Sequence, residues 1–300
     1  LYQSRVARIS KIPCGFLFLF AAAADILSCF FGNAIEKEKG GRAVSYLYRV
    51  FWRQKSTRYL LLIILLLSVG EFYYYPLNPL SKQLPPTPDS VGAMYGQFFW
   101  PNALLFLHNP IFALWLAGVT RLFMDIKVST RTGSRSRWFW TYFRLCLPVT
   151  GSFLLLLNVP AWIGGLWVGP ATSSVLLYFL TTLVLEYIAL MTFAMVYFLV
   201  YALTDSAVAS FVALFIYAGW DSLYGVVWHM GKTGEYVLNL SFGWVRAIPD
   251  PYQFFAQGGA SVFPFVLLLG LLLLSIILCL VAVRRKDFLA AHENESGQKA

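Results

Sequence analysis

Residues 121–144 read RLFMDIKVSTRTGSRSRWFWTYFR. The stretch sets Arg121, Lys127, Arg131, Arg135, Arg137 and Arg144 against one acid, Asp125. Long apolar runs lie on both sides of it. A basic loop between two membrane spans is most stable on the cytoplasmic face, so this stretch fixes the direction of every other span.

Composition agrees with that reading. The 300 residues are 59% hydrophobic, 18% aromatic and 12% charged, whereas a globular domain carries roughly 25% charged residues. Several apolar runs reach about 20 residues, the length that crosses a ~30 Å hydrocarbon core. A net charge of +9 raises nucleic acid as a partner, and the placement of the charges argues against it. They gather at the ends of apolar runs, where they set topology and meet the headgroups of membrane lipids. Cys14, Cys29, Cys146 and Cys279 all sit in apolar runs without a CxxC pair, and read as small buried side chains rather than disulfides or a zinc site.

Working outward, residues 1–58 form an N-terminal cytoplasmic and interfacial segment. Residues 14–31 are apolar apart from Asp25 and come after Arg5, Arg8 and Lys11. A signal peptide would look similar. Cleavage near Cys29 would leave seven basic residues of 36–58 outside, against the positive-inside bias. An in-plane or loosely packed apolar helix fits better, with an extra N-terminal span as the alternative. In residues 42–58, Val44, Leu47, Tyr48, Phe51 and Trp52 recur at helical spacing, and Arg42, Arg49, Arg53 and Lys55 fall on other faces. That predicts a basic amphipathic helix on the inner membrane surface; a juxtamembrane extension of the first span is the alternative.

Six spans are expected within 59–286, at 59–77, 98–124, 145–168, 175–203, 207–228 and 262–283. The first leaves the membrane at Tyr73, Tyr74 and Tyr75, an aromatic belt. A Pro-rich segment to Gly96 reads as extended and external. Pro101 and Pro110 predict a broken second span, and Pro160 an interrupted third. Thr204-Asp205-Ser206 makes a tight turn with a helix N-cap. Residues 229–261 are too polar to cross and predict a short interfacial helix or re-entrant hairpin. A polar tail, 287–300, closes the chain. The expected fold class is therefore an all-α polytopic membrane protein with both termini cytoplasmic. Residues 1–58, 121–144 and 284–300 hold 20 of the 23 basic residues, and the outer segments hold Lys82, Lys232 and Arg246.

No HExxH, GxSxG or glycine-rich phosphate loop is present, so no catalytic, cofactor or metal-binding residue is expected. Gly231-Lys232-Thr233 imitates the end of a phosphate loop, but Val226 stands where its upstream glycine is needed. His108, His229 and His292 are too scattered for a metal site. His108, beside Asn109 and Pro110, reads as an interior histidine near a kink. Glu71, Glu186 and Asp221 are the acids at membrane depth. Such a group normally faces a partner, a cavity or an interface. Glu71 and Asp221 fall toward span ends. Glu186 lies mid-span, and reads either as a polar residue of a translocation path or as a helix–helix hydrogen bond to a neighbouring Ser, Thr or Asn.

The layout resembles the permease subunit of an ABC-2 type exporter. The likeness covers residues 42–288: the basic helix at 42–58, the basic segment 121–144, the external segment 229–261, and Arg284-Arg285-Lys286-Asp287-Phe288 after the last span. The resemblance implies a homodimer, or a pair with a second permease, in the bacterial cytoplasmic membrane. It also implies a separate cytoplasmic ABC ATPase subunit that performs any ATP hydrolysis. Residues 121–144 would then carry the coupling helix, with Leu122, Phe123, Met124 and Ile126 as apolar contacts flanked by Arg131 and Arg135. The competing reading is a non-transporting membrane sensor or immunity protein that binds a peptide or lipid at the aromatic segments 98–100 and 242–255. An integral-membrane enzyme would need converging acids or histidines, and an ion-coupled carrier an internal repeat; the sequence offers neither.

Overall fold

The computed structural model describes residues 41–77, 87–88, 91–92, 95, 104–124, 135–168, 170–228, 251–259 and 262–285. The apolar run 14–31, the basic stretch 125–134, the aromatic triplet 98–100, all of 229–250 and the tail 287–300 lie outside the described residues. All regular structure among the described residues is helical. The chain forms two compact units, 1–54 and 55–300.

In the first unit, helix α1 spans Gly41–Arg53. Val44, Leu47, Tyr48 and Phe51 are buried, while Tyr46, Arg49 and Arg53 are exposed. Trp52 meets Tyr48 and Phe51 edge to face. The helix stops earlier than the expected residue 58. At Gln54 the backbone N–H reaches Phe51 O at 3.2 Å, a tightened turn, and a new helix starts at Lys55.

The second unit is a helical bundle. Helix α2 spans Lys55–Leu77. A π-helical turn, Leu104–His108, leads into α3, Asn109–Phe123. Pro110 explains the change of helix type: it brings no N–H and its ring crowds the carbonyl four residues back, so the preceding turn widens. Helix α4 runs Arg135–Val168, α5 Ser173–Thr204, α6 Ala207–Trp228, α7 Pro251–Gln257 and α8 Val262–Arg285. Three of these, α4, α5 and α8, are long and apolar enough to cross a membrane, and the shorter stretch Ala207–Trp220 is also apolar.

Helix α5 is the axis of the bundle. It packs against α8, α6, α4, α3 and α7, while Leu176, Leu177, Leu180 and Val184 stay exposed. Thr172 caps its start, the Oγ1 accepting from Val175 N at 3.4 Å. Asp205, with φ of 53°, ends it in the left-handed region, its N–H bonded to Tyr201 O. Ser206 then caps α6, accepting from Ala209 N at 3.1 Å, as the tight-turn reading of 204–206 expects.

Two expectations fail in α4. The basic stretch is not a loop throughout: 121–123 end α3, and 135–144 are the first turns of α4. At 34 residues, α4 is about 51 Å long, well beyond a ~30 Å hydrocarbon core. Nor does Pro160 interrupt the helix, which passes through both Pro148 and Pro160. Around Pro148, side chains donate to backbone carbonyls. Tyr187 Oη donates to Leu147 O at 3.0 Å, Ser152 Oγ to Pro148 O at 2.8 Å, and Trp115 Nε1 to Val149 O at 3.3 Å.

Candidate functional site

Two clusters lie at different levels of the bundle. At the first, the end of α3, the start of α4 and the end of α8 converge. Phe123 is fully buried and packs against Trp138 and Tyr142, with ring centroids 5.0 and 5.3 Å away. Phe198 of α5 stacks on Tyr142 at 4.2 Å. Thr120 and Tyr142 share a hydrogen bond of 3.0 Å. Outside this aromatic weld, Arg135 Nη1 donates to Arg284 O at 2.6 Å. Arg121, Arg135, Arg137, Arg144, Arg284 and Arg285 are all exposed.

Of the residues expected to dock an ATPase, the structure places Phe123 in the core. Leu122 and Met124 are half-buried and Arg135 is exposed at this end. Ile126 and Arg131 lie outside the described residues.

The second cluster is built around Glu186, which is wholly buried on α5. Asn158 of α4 donates Nδ2 to Glu186 Oε2 at 2.7 Å, and the same amide donates to Leu154 O at 3.1 Å. Tyr95 brings its hydroxyl to Glu186 Oε1 at 3.1 Å and also to Asn158 Oδ1. Glu186 thus makes a helix–helix hydrogen bond to an Asn. Above it, Tyr95 lies against Tyr178 and Phe179, Trp162 stacks on Phe179, and Tyr178 meets Phe254 and Phe255 of α7. Gly258, at φ of 71°, closes α7, and Gly259 N bonds back to Phe254 O.

Tyr95 and Asn158 escape the sequence reading. Residues 76–96 read as extended because of their prolines, yet residues 88, 91, 92 and 95 are helical and Val91 and Tyr95 are fully buried. Pro88 comes directly after Thr87, and Val91 N bonds to Thr87 O at 3.3 Å. A proline in the first helical turn is compatible with helix beyond it. The missed signal is the proline-free 89–95 that comes next.

Gly165 permits the approach. A Cβ there would stand 3.1 Å from Val91 Cγ1 and 3.3 Å from Phe179 Cζ. Gly165→Val is therefore expected to push Val91 off α4 while α4 and α5 stay helical. Protease or hydrogen-exchange protection of 91–95 should fall; unchanged protection would show that the contact is slack.

His108 is buried at the π turn, in a small cleft with Phe153 and Leu157. Cys146 and Cys279 are buried thiols, and Cys279 Sγ bonds to Met195 O at 3.2 Å. The side chains of Glu71 and Asp221 lie outside the described residues. Among the described residues no three His, Cys, Asp or Glu side chains gather as a metal site would require. No family model, curated protein or solved structure matches the chain.

Proposed function

We propose that the chain is the permease subunit of an ABC-2 type exporter in a bacterial cytoplasmic membrane. It works as a homodimer or with a second permease, and the ATP is hydrolysed by a separate cytoplasmic ATPase. The observation that carries this reading is the bond between Arg135 and the Arg284 carbonyl. It joins the start of α4 to the end of α8, so the number of membrane crossings between them is even. Helices α4, α5 and α8 supply three, and α6 is the natural fourth. The six exposed arginines at this end belong on the cytoplasmic side. With α2 and α3 as a further pair, six spans return the chain to the side where it started. Helix α1, basic and amphipathic, suits a membrane interface.

On this reading Leu122, Met124, Ile126, Arg131 and Arg135 face the ATPase. Phe123 anchors the end of α3 so that their motion passes to α4 and α5. The sensor reading needs the rings of 242–255 open to a ligand. Of these, Phe254 is buried against Tyr178, and Phe255 is half-exposed.

Purification of the tagged chain from its native membrane in mild detergent tests the proposal. A cytosolic ATPase with nucleotide-binding motifs is expected at about one per permease, and Met124→Asp should lose it while the chain still inserts. An ATPase-free preparation that is otherwise intact would sink the exporter reading.

A further inference from the structure

We infer that the outward face of the first turns of α4 binds the headgroup of an anionic phospholipid of the cytoplasmic leaflet, with Arg137, Trp140 and Arg144 as its cradle. The inference rests on the basic end of the bundle being cytoplasmic, and not on the ATPase. Helical spacing selects the three residues. At about 100° per residue they fall within about 60° of one another, and all three are exposed, Trp140 at 41%. Its ring rests edge to face on Phe143. The opposite face of the same turns is packed: Trp138, Phe139 and Tyr142 are buried against Phe198 of α5. Arg135 also points elsewhere, to the end of α8. Further along α4, the outward face continues as Leu147, Gly151 and Leu155, partly exposed and apolar. Charge and an indole below, with an apolar strip above, match the profile of one lipid molecule.

Packing sets the depth of this face. Cys279 of α8 bonds to Met195 O of α5. One turn on, Phe198 meets Trp138, Phe139 and Tyr142. The 138–142 turn of α4 is therefore level with the last apolar turn of α8, just inside Arg284 and Arg285. The bond from Arg135 to Arg284 O agrees. Arg144 lies one turn deeper, level with Leu278, which α8 exposes as an apolar side chain. A cation at that depth is costly unless it reaches an anion or the interface. Helical side chains lean toward the N-terminus, here the cytoplasm, so the Arg144 guanidinium extends over the Trp140 turn.

The chemistry of the occupant follows. Among the residues with described side chains, the acids are Glu186 and Asp205. Glu186 bonds to Asn158, about 20 Å further along α4 than Arg144. Asp205 ends α5, which meets α4 on the Tyr142 side. Neither answers the outward arginines, whereas a lipid phosphate does. Guanidinium groups take phosphate oxygens in a bidentate fork, and an indole suits the level between headgroup and acyl chain. Arg144 takes the phosphate, Trp140 lies along the glycerol, and Arg137 closes the cytoplasmic side of the headgroup.

Trp140 reports on its own occupant. The full chain and its Trp140→Phe variant are reconstituted in mixed vesicles of phosphatidylcholine and phosphatidylglycerol, one lipid at a time brominated near the top of its acyl chains. Subtracting the variant's emission leaves the fluorescence of Trp140. Brominated phosphatidylglycerol is expected to quench it at about tenfold lower mole fraction than brominated phosphatidylcholine. Arg144→Gln should reduce that preference to about twofold, the loss of one cation near the headgroups. Arg137→Gln should act likewise, and gives a second reading if Arg144→Gln fails to accumulate. Arg121→Gln, at the end of α3 on the Tyr142 side, should leave the preference unchanged. Equal quenching by the two lipids, or a preference that survives both α4 variants, would overturn the inference. So would an equal loss in Arg121→Gln, which would mean a diffuse field rather than a site. Quenching by neither lipid would overturn it too, since the face would then be covered by protein or stand in water.

Discussion

Phe123→Asp is expected to abolish accumulation of folded protein in the membrane, whereas Met124→Asp leaves it intact. The two positions are adjacent in the stretch that reads as an ATPase-docking segment, and the structure separates them. Phe123 is wholly enclosed by Trp138 and Tyr142, while Met124 stands half-buried at the end of α3. Removing a buried Phe side chain costs about 3–5 kcal/mol, and an unpaired carboxylate in its place adds several more. Against a typical stability of about 5–15 kcal/mol, the sum leaves little. The aromatic contacts also hold three helices in register, each pair contributing about 0.5–1.5 kcal/mol beyond its buried area. Size-exclusion profiles of fluorescently tagged variants in mild detergent give the answer. A monodisperse Phe123→Asp at wild-type yield would mean that the aromatic weld does not hold the bundle. Partner loss in Phe123→Asp alone would say nothing about docking, and for that reason Met124 carries the docking test.

Much of the fold is legible in the sequence because membrane spans announce themselves by length and hydropathy. Helices α4, α5 and α8 lie where the apolar runs place them, and Ser206 caps α6 at the expected turn. Two of the failures come from proline. Pro160 reads as a break, yet α4 continues. A missing N–H is tolerable in a buried helix. Pro85, Pro86 and Pro88 read as an extended outer segment, yet 91, 92 and 95 are helical. Local propensity does not report a partner that lies 63 residues away, as Asn158 does from Tyr95.

The site is legible by half. Glu186 stands out because an acid within a long apolar helix needs an explanation, and an Asn from a neighbouring helix is one that the sequence already offers. Which Asn, and the involvement of Tyr95, depend on α4 and α5 being antiparallel neighbours with Gly165 open at their end. The same is true of the basic end. Arg135 and Arg284 are 149 residues apart, and each reads alone as a topology signal; their contact, which the parity argument needs, is visible only in three dimensions.

The second large effect is expected from truncating one member of the buried ring of Tyr95, Asn158 and Glu186 without the others. Glu186→Leu takes one hydrogen-bond partner from the Asn158 amide and one from the Tyr95 hydroxyl, each loss costing about 1–3 kcal/mol, so a loss of roughly 2–6 kcal/mol is expected. Asn158→Leu should cost as much, since it takes a polar partner from both Tyr95 and Glu186. Tyr95→Phe should cost less, because its ring keeps the contacts with Tyr178 and Phe179. Combining Tyr95→Phe, Asn158→Leu and Glu186→Leu in one chain removes every polar atom of the ring while keeping most of its volume. Replacing all partners of a buried polar network by apolar groups of similar shape is often near neutral. The triple variant is therefore expected to recover most of the stability that either leucine variant loses, a coupling well above the few tenths of a kcal/mol that independent sites show. Thermal unfolding in one detergent, measured on the three single variants, the triple variant and wild type, reads it directly. Additive losses would mean that the three groups do not act as a unit, and the ring would then be three separate hydrogen bonds rather than one closed device.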